Sequence, residues 1–124
     1  MNWSAIGAAA LALAVGAGAF GAHGLRGRLD EYAMGIYERA VFYQFIHALG
    51  LLAVPLFARL DLLTWRAAQR VCALLLAGIL LFSGSLYVLA MTGVRTFGAV
   101  TPFGGVAFIL AWALLAFELV RHSR

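Results

Sequence analysis

Between Arg39 and Arg59 the chain runs for nineteen residues without a formal charge. At about 1.5 Å of rise per helical residue, such a stretch nearly matches a hydrocarbon core of about 30 Å. Only a helix or a closed barrel satisfies the backbone at that depth, and a single run of this length reads as a membrane-spanning helix. The run is not uniformly apolar, because Gln44 and His47 lie inside it. At about 100° per residue, Ala40, Tyr43, Gln44, His47, Gly50 and Leu51 share one side, and a small and polar stripe of that kind calls for a protein neighbour instead of lipid.

The rest of the chain repeats the pattern. Of its 124 residues 65% are hydrophobic and 11% charged, whereas soluble domains carry about 25% charged residues. Spans are expected at residues 3–22, 40–58, 71–92 and 103–120, which leaves no room for a soluble domain beside them. The expected fold class is therefore all-α: one polytopic domain over 1–124, four transmembrane helices in an antiparallel up-down bundle. The first run has the small-residue flank of a signal peptide, but no Lys or Arg precedes it and it is long enough to span. Small residues four apart in it, such as Ala8, Ala12 and Gly16, allow another helix to approach closely. In residues 25–39, Leu25, Leu29, Tyr32 and Ile36 recur with helical spacing. This segment is expected to form a short amphipathic interfacial helix between helices 1 and 2, the alternative being the outward extension of the second span. Arg95 to Val100 reads as a loop, with Thr101 and Pro102 as the cap and first residue of the fourth helix.

All nine basic residues are arginines in the segments between apolar runs, so the positive balance reports membrane orientation, not nucleic-acid binding. Five (Arg59, Arg66, Arg70, Arg121 and Arg124) fall on the side of the termini and four (Arg26, Arg28, Arg39 and Arg95) opposite. The positive-inside rule then puts the termini on the cytoplasmic side. Cys72 has no second cysteine to pair with and is expected to be a buried, inert thiol. Glu118 stands one turn from Arg121 and His122, a surface pairing near the interface.

Because short connections make neighbouring spans antiparallel, depths can be compared between them. His23, Tyr43, Gln44, His47, Ser83, Ser85 and Tyr87 fall in one half of the bundle, opposite the termini, with Thr101, Gly104 and Gly105 near them. This is the candidate polar cluster or ligand-binding site. Intramembrane hydrogen bonds of this sort are worth under about 2 kcal/mol and commonly only tie helices together. An ionisable group inside a span, however, marks function often enough for a site to be weighed. Of the other histidines His23 stands near the membrane edge and His122 at the opposite face, so a bis-histidine haem or metal centre is disfavoured. The chain has no Ser–His–Asp set, carboxylate pair, phosphate loop or CxxC motif. No enzyme activity, catalytic residue, metal or cofactor is expected.

Four stretches, GAFGAHGL at 18–25, AVFYQFIHALGLL at 40–52, LFSGSLYVLAMTG at 81–93 and TPFGG at 101–105, together resemble the small bacterial membrane proteins known as domain of unknown function 423. These have an animal relative called transmembrane protein 256. The resemblance covers nearly the whole chain and implies four membrane helices, without an assigned activity. The leading expectation is a non-enzymatic structural or accessory membrane component. The alternative is a small transporter or channel component with a polar half-cavity around His47 for a small polar solute. The resemblance implies a bacterial cytoplasmic (inner) membrane; the expected surroundings are its lipid bilayer, with room for a homo-oligomer or a membrane-protein partner and none for nucleic acid.

Overall fold

A computed structural model describes residues 1–123. It holds four helices long and apolar enough to cross a membrane: α1 (Trp3–Leu25), α2 (Glu31–Arg59), α3 (Trp65–Thr92) and α4 (Thr96–His122). No strand occurs among the described residues. Arg124, one of the five arginines assigned to the side of the termini, lies outside the described residues.

The helix ends follow from local chemistry. The side chains of Asn2, Asp30 and Thr64 accept from the amides of Ala5, Ala33 and Ala67 and so start α1, α2 and α3, each satisfying one of the donors that a helix leaves open at its N-terminus. At the end of α2, Leu62 N–H reaches Phe57 carbonyl at 2.8 Å and Asp61 N–H reaches Ala58 carbonyl at 3.2 Å. That is the paired cap usually closed by glycine, here with Asp61 at φ 61°. Gly93, at φ 72°, ends α3 in the same left-handed conformation.

Two boundaries differ from the sequence expectation. Residues 25–39 hold no separate interfacial helix: a turn occupies 26–30, and Glu31 begins a helix that runs unbroken to Arg59. The second of the two readings, the outward extension of the second span, is the one adopted. The fourth helix begins at Thr96, so Arg95 to Val100 is not a loop and Thr101 does not cap. Pro102 sits inside the helix, where its missing N–H removes the bond to the carbonyl four residues back. Two helices also carry one wide turn each, at Gly21–Leu25 and Ile79–Ser83, in which the bond reaches five residues back.

Successive helices pack antiparallel. Ser4 Oγ donates to Leu52 carbonyl and Tyr37 Oη to Ala17 carbonyl, so residue numbers rise along α1 as they fall along α2. Ser83 meets Ala40 across α2 and α3, and Ser85 meets Thr101 across α3 and α4. The first residues of α1 and the last of α4 therefore share one side. α2 packs between α1 and α3, and α3 between α2 and α4, so α1 lies on the outer flank of α2. Glycine makes two approaches possible. A Cβ on Gly7 would stand 2.6 Å from Leu52 N, and one on Gly104 would stand 2.7 Å from Phe82 Cβ, so α1 seats on α2 and α4 on α3 with no side chain between. The apolar core divides by depth. Trp3, Leu51, Val54, Leu63, Val71, Cys72, Leu75 and Leu115 pack on the side of the termini. Leu25, Met34, Ile36, Tyr37, Leu86 and Ala90 pack on the opposite side. Trp112 lies against Gly50 at the middle of the bundle.

Candidate functional site

The polar residues singled out by sequence do not form one cluster. α2 has protein on several sides, and adjacent residues on a helix point about 100° apart. Gln44 consequently faces α1 and α3, while Tyr43 and His47 face α3 and α4.

On the first side, Gln44 is buried between two elements. Its Nε2 donates to Ala10 carbonyl at 2.9 Å, and its Oε1 accepts from Tyr87 Oη at 2.6 Å. A carbonyl can only accept, so these partners fix which end of the amide points where. One turn pair further out, Tyr37 Oη donates to Ala17 carbonyl at 2.5 Å, and its ring meets that of Tyr87 edge-on with centroids 5.4 Å apart. Ser83, 1% exposed, donates to Ala40 carbonyl at 2.8 Å. Tyr37 was absent from the sequence-derived set. Its spacing of seven residues from Gln44 puts both on one face of α2, and this was the signal that could have included it.

Ser85 belongs to a separate contact. Its hydroxyl lies 2.6 Å from that of Thr101, with Phe82 carbonyl 3.0 Å away as a further acceptor. This joins α3 to α4 just below Gly104.

His47 sits among aromatic rings. Its Nδ1 is 2.7 Å from Tyr43 carbonyl and therefore carries the proton that it donates. The ring lies nearly parallel to Phe108, with centroids 3.4 Å apart and planes 12° apart, and Trp112 is tilted against it at 5.7 Å. Tyr43 continues the stack at 5.8 Å and touches Phe82 at 4.4 Å. Among the described residues Nε2 has no hydrogen-bond partner. His23 is exposed in the wide turn ending α1 and joins none of these groups. His122 is at the other end, bonded through Nε2 to Asp61 carbonyl at 2.8 Å. The described residues contain no group of three or more His, Cys, Asp or Glu side chains placed to hold a metal.

A crevice of about 390 Å³ opens sideways between α1 and α3. Its walls are Ile6, Ala9, Leu13, Leu76 and Leu80, and Gln44, Ser83 and Tyr87 also line it. His47 is not in its wall. The crevice is mainly apolar and lies on the other flank of α2 from His47. Outside this zone, Glu118 is paired with Arg121 at 2.9 Å, the i to i+3 contact expected, but its carboxylate is buried instead of lying on the surface. Arg121 also lies over the ring of Phe117, 5.7 Å from its centroid.

The family described as "Protein of unknown function (DUF423)" matches residues 17–105. A UPF0382 membrane protein of Staphylococcus epidermidis is 47% identical over 95% of this chain and 94% of its own length. The UPF0382 membrane protein YwdK of Bacillus subtilis is 43% identical, with 94% of each chain covered. A UPF0382 membrane protein of Staphylococcus saprophyticus is 46% identical over 89% of each chain. No solved structure matches.

Proposed function

Since the chain belongs to the DUF423 family, whose relatives named above are membrane proteins, and holds four helices long and apolar enough to cross a membrane, we propose that it acts as a non-enzymatic structural or accessory component of the bilayer. The observation that carries this reading is the use made of its intramembrane polar groups. Tyr37, Gln44 and Ser83 each donate to a main-chain carbonyl of a neighbouring helix. Tyr87 is taken by Gln44, and Ser85 and Thr101 by each other. Groups occupied in this way join helices, at about 0.6 kcal/mol each on average and under about 2 kcal/mol at most. His47 is covered by Phe108 and lines no hollow described above, which favours a packing role over a relay or a solute grip.

An accessory role implies a neighbour. Gly7 and Ala14 are buried against α2, whereas Ala8, Ala12 and Gly16 remain exposed along α1. That smooth face supports a homo-oligomer or a membrane-protein partner at α1. The termini belong on the cytoplasmic side in this reading, which reporter fusions to each end test directly.

The crevice beside Gln44 supports the second reading, a small transporter or channel component. Gln44 separates the two, since it lines the crevice and His47 does not. Proteoliposomes that hold the protein should take up small polar solutes no faster than protein-free vesicles. Saturable uptake that disappears with Gln44→Leu would overturn the accessory reading in favour of transport.

A further inference from the structure

On the side opposite the termini, one face of α2 changes character along its length. Glu31, Gly35, Glu38, Phe42 and Phe45 follow one another at steps of three or four residues and so share that face. Two hollows stand in line on it. The outer one, about 440 Å³, is polar, and Arg26 and Gly27 of the turn before α2 meet Glu31, Gly35 and Glu38 in its wall. The inner one, about 270 Å³, is mainly apolar, with Gly18 and Gly21 from the end of α1 and Val41, Phe42 and Phe45 from α2. Arg26, Met34 and Glu38 wall both, so the two meet at the ion pair. The inner hollow exists because α1 brings no side chain there: a Cβ on Gly18 would reach only Val41 Cγ1, at 3.7 Å. The charges at the junction are far from saturated. Arg26 Nη2 stands 3.5 Å from Glu38 Oε1, longer than a close charge-assisted bond of about 2.7–2.9 Å. Neither side chain has another partner among the described residues, and Glu31 makes no ion pair with any of them.

We propose that this two-part groove holds a phosphatidylethanolamine molecule of the leaflet opposite the termini. Arg26 takes the phosphate, Glu38 with Glu31 beyond it takes the ammonium, and an acyl chain lies along Phe42 and Phe45. Depth fixes the order of these parts. Arg39 marks where α2 enters the hydrocarbon, Glu38 is beside it, and Phe45 is six residues, or about 9 Å, further in. A polar hollow outside that level and an apolar one inside it suit an amphiphile, and neither a dissolved ion nor a hydrocarbon chain alone would fill both. Charge fixes the head. One guanidinium beside two carboxylates matches a head that carries a phosphate and a cation together, whereas phosphatidylglycerol would set an uncompensated negative charge against Glu31 and Glu38. A primary ammonium donates three N–H bonds to carboxylates; the quaternary nitrogen of phosphatidylcholine has no N–H to give.

The test is native mass spectrometry of the full chain, purified in detergent and offered equal amounts of phosphatidylethanolamine, phosphatidylcholine and phosphatidylglycerol with the same acyl chains. Phosphatidylethanolamine should be retained about fivefold more strongly than either of the others, the ratio set by one exposed charge pair at its upper value of about 1 kcal/mol. Glu38→Gln should bring phosphatidylethanolamine down towards phosphatidylcholine, because the ammonium loses its nearest carboxylate. Arg26→Gln should lower both of these lipids alike, because they share the phosphate. Arg28→Gln, which changes an exposed arginine of the same turn outside both hollows, should alter neither. Gly18→Leu fills the inner hollow with every charge kept, and should lower phosphatidylethanolamine retention by itself; it decides the matter if a charge variant does not fold. Equal retention of the three lipids, or a preference for phosphatidylglycerol, overturns the proposal. So does an unchanged preference in Glu38→Gln, full retention in Gly18→Leu, or an equal loss in Arg26→Gln and Arg28→Gln, which would show a diffuse surface potential.

Discussion

Replacing Gly104 by alanine tests how α4 is seated. The added Cβ would stand 2.7 Å from Phe82 Cβ and 2.8 Å from Phe82 Cα, with the Phe82 amide nitrogen closer still. Carbon atoms in contact prefer about 3.5–4.0 Å, so α4 would have to move by about 1 Å away from the wide turn of α3. The obstacle includes backbone, and no rotamer change can clear it. Overpacking of this kind costs about 1–3 kcal/mol. The neighbouring Gly105 provides the control. A Cβ there meets only the Phe82 ring, at 3.9 Å, an ordinary contact. Alanine in a helix interior is worth about 0.5–1 kcal/mol over glycine. Two adjacent and chemically identical substitutions should therefore shift stability in opposite directions. Unfolding in mixed micelles at rising dodecyl sulfate, followed by far-ultraviolet circular dichroism, should give an earlier midpoint for Gly104→Ala and an unchanged or later one for Gly105→Ala. If both move the midpoint alike, the close seating of α4 on Phe82 is wrong.

Other outcomes follow from the same contacts. Gly78→Ala meets ring atoms of Phe108 as its nearest neighbours, so the loss of stability it causes should be partly relieved by Phe108→Leu, a rescue that Phe82→Leu should not give Gly104→Ala. Tyr87→Phe removes the donor to Gln44 Oε1 and should cost about 0.6 kcal/mol and no more than about 1.7; a double-mutant cycle with Gln44→Leu measures the coupling. His47→Ala removes the ring stacked on Phe108 and the bond to Tyr43 carbonyl, and the chain should still fold, with a midpoint lowered by about 1–3 kcal/mol; unchanged stability combined with lost solute binding would contradict the packing role. Cys72 is fully buried and should resist a bulky maleimide in mild detergent yet react once dodecyl sulfate unfolds the bundle.

The number of helices was legible because charge-free runs of spanning length leave little choice, and the depth of the polar residues was legible because short turns force antiparallel neighbours. The facing of those residues was not. Gln44 and His47 are three residues apart and fall within one broad stripe, but a stripe says only that protein lies nearby. With protein on several sides of α2, one edge of that stripe meets α1 and the other meets α4. The start of α4 was misread because Thr101-Pro102 has the form of a cap. Helix from Thr96 prevails because it brings the Thr101 hydroxyl to Ser85 and Gly104 onto Phe82. The caps at Asn2, Asp30 and Thr64 carry side chains of the capping type, and their spacing before apolar runs is the signal that marks them. The wide turn at Ile79–Ser83 left no mark beyond the glycines beside it.

Two of the donors that hold α1 in place, Tyr37 and Gln44, belong to α2, and they act on Ala17 and Ala10 through peptide oxygens that every residue possesses. Attachment is thus written almost entirely on one partner. α1 can drift in composition, exchanging alanine for serine or glycine over successive generations, and keep its grip as long as nothing bulky intrudes at positions such as Gly7. A lineage could in this way remodel the outward surface of its first helix for new neighbours while the three-helix body behind it stays as it is.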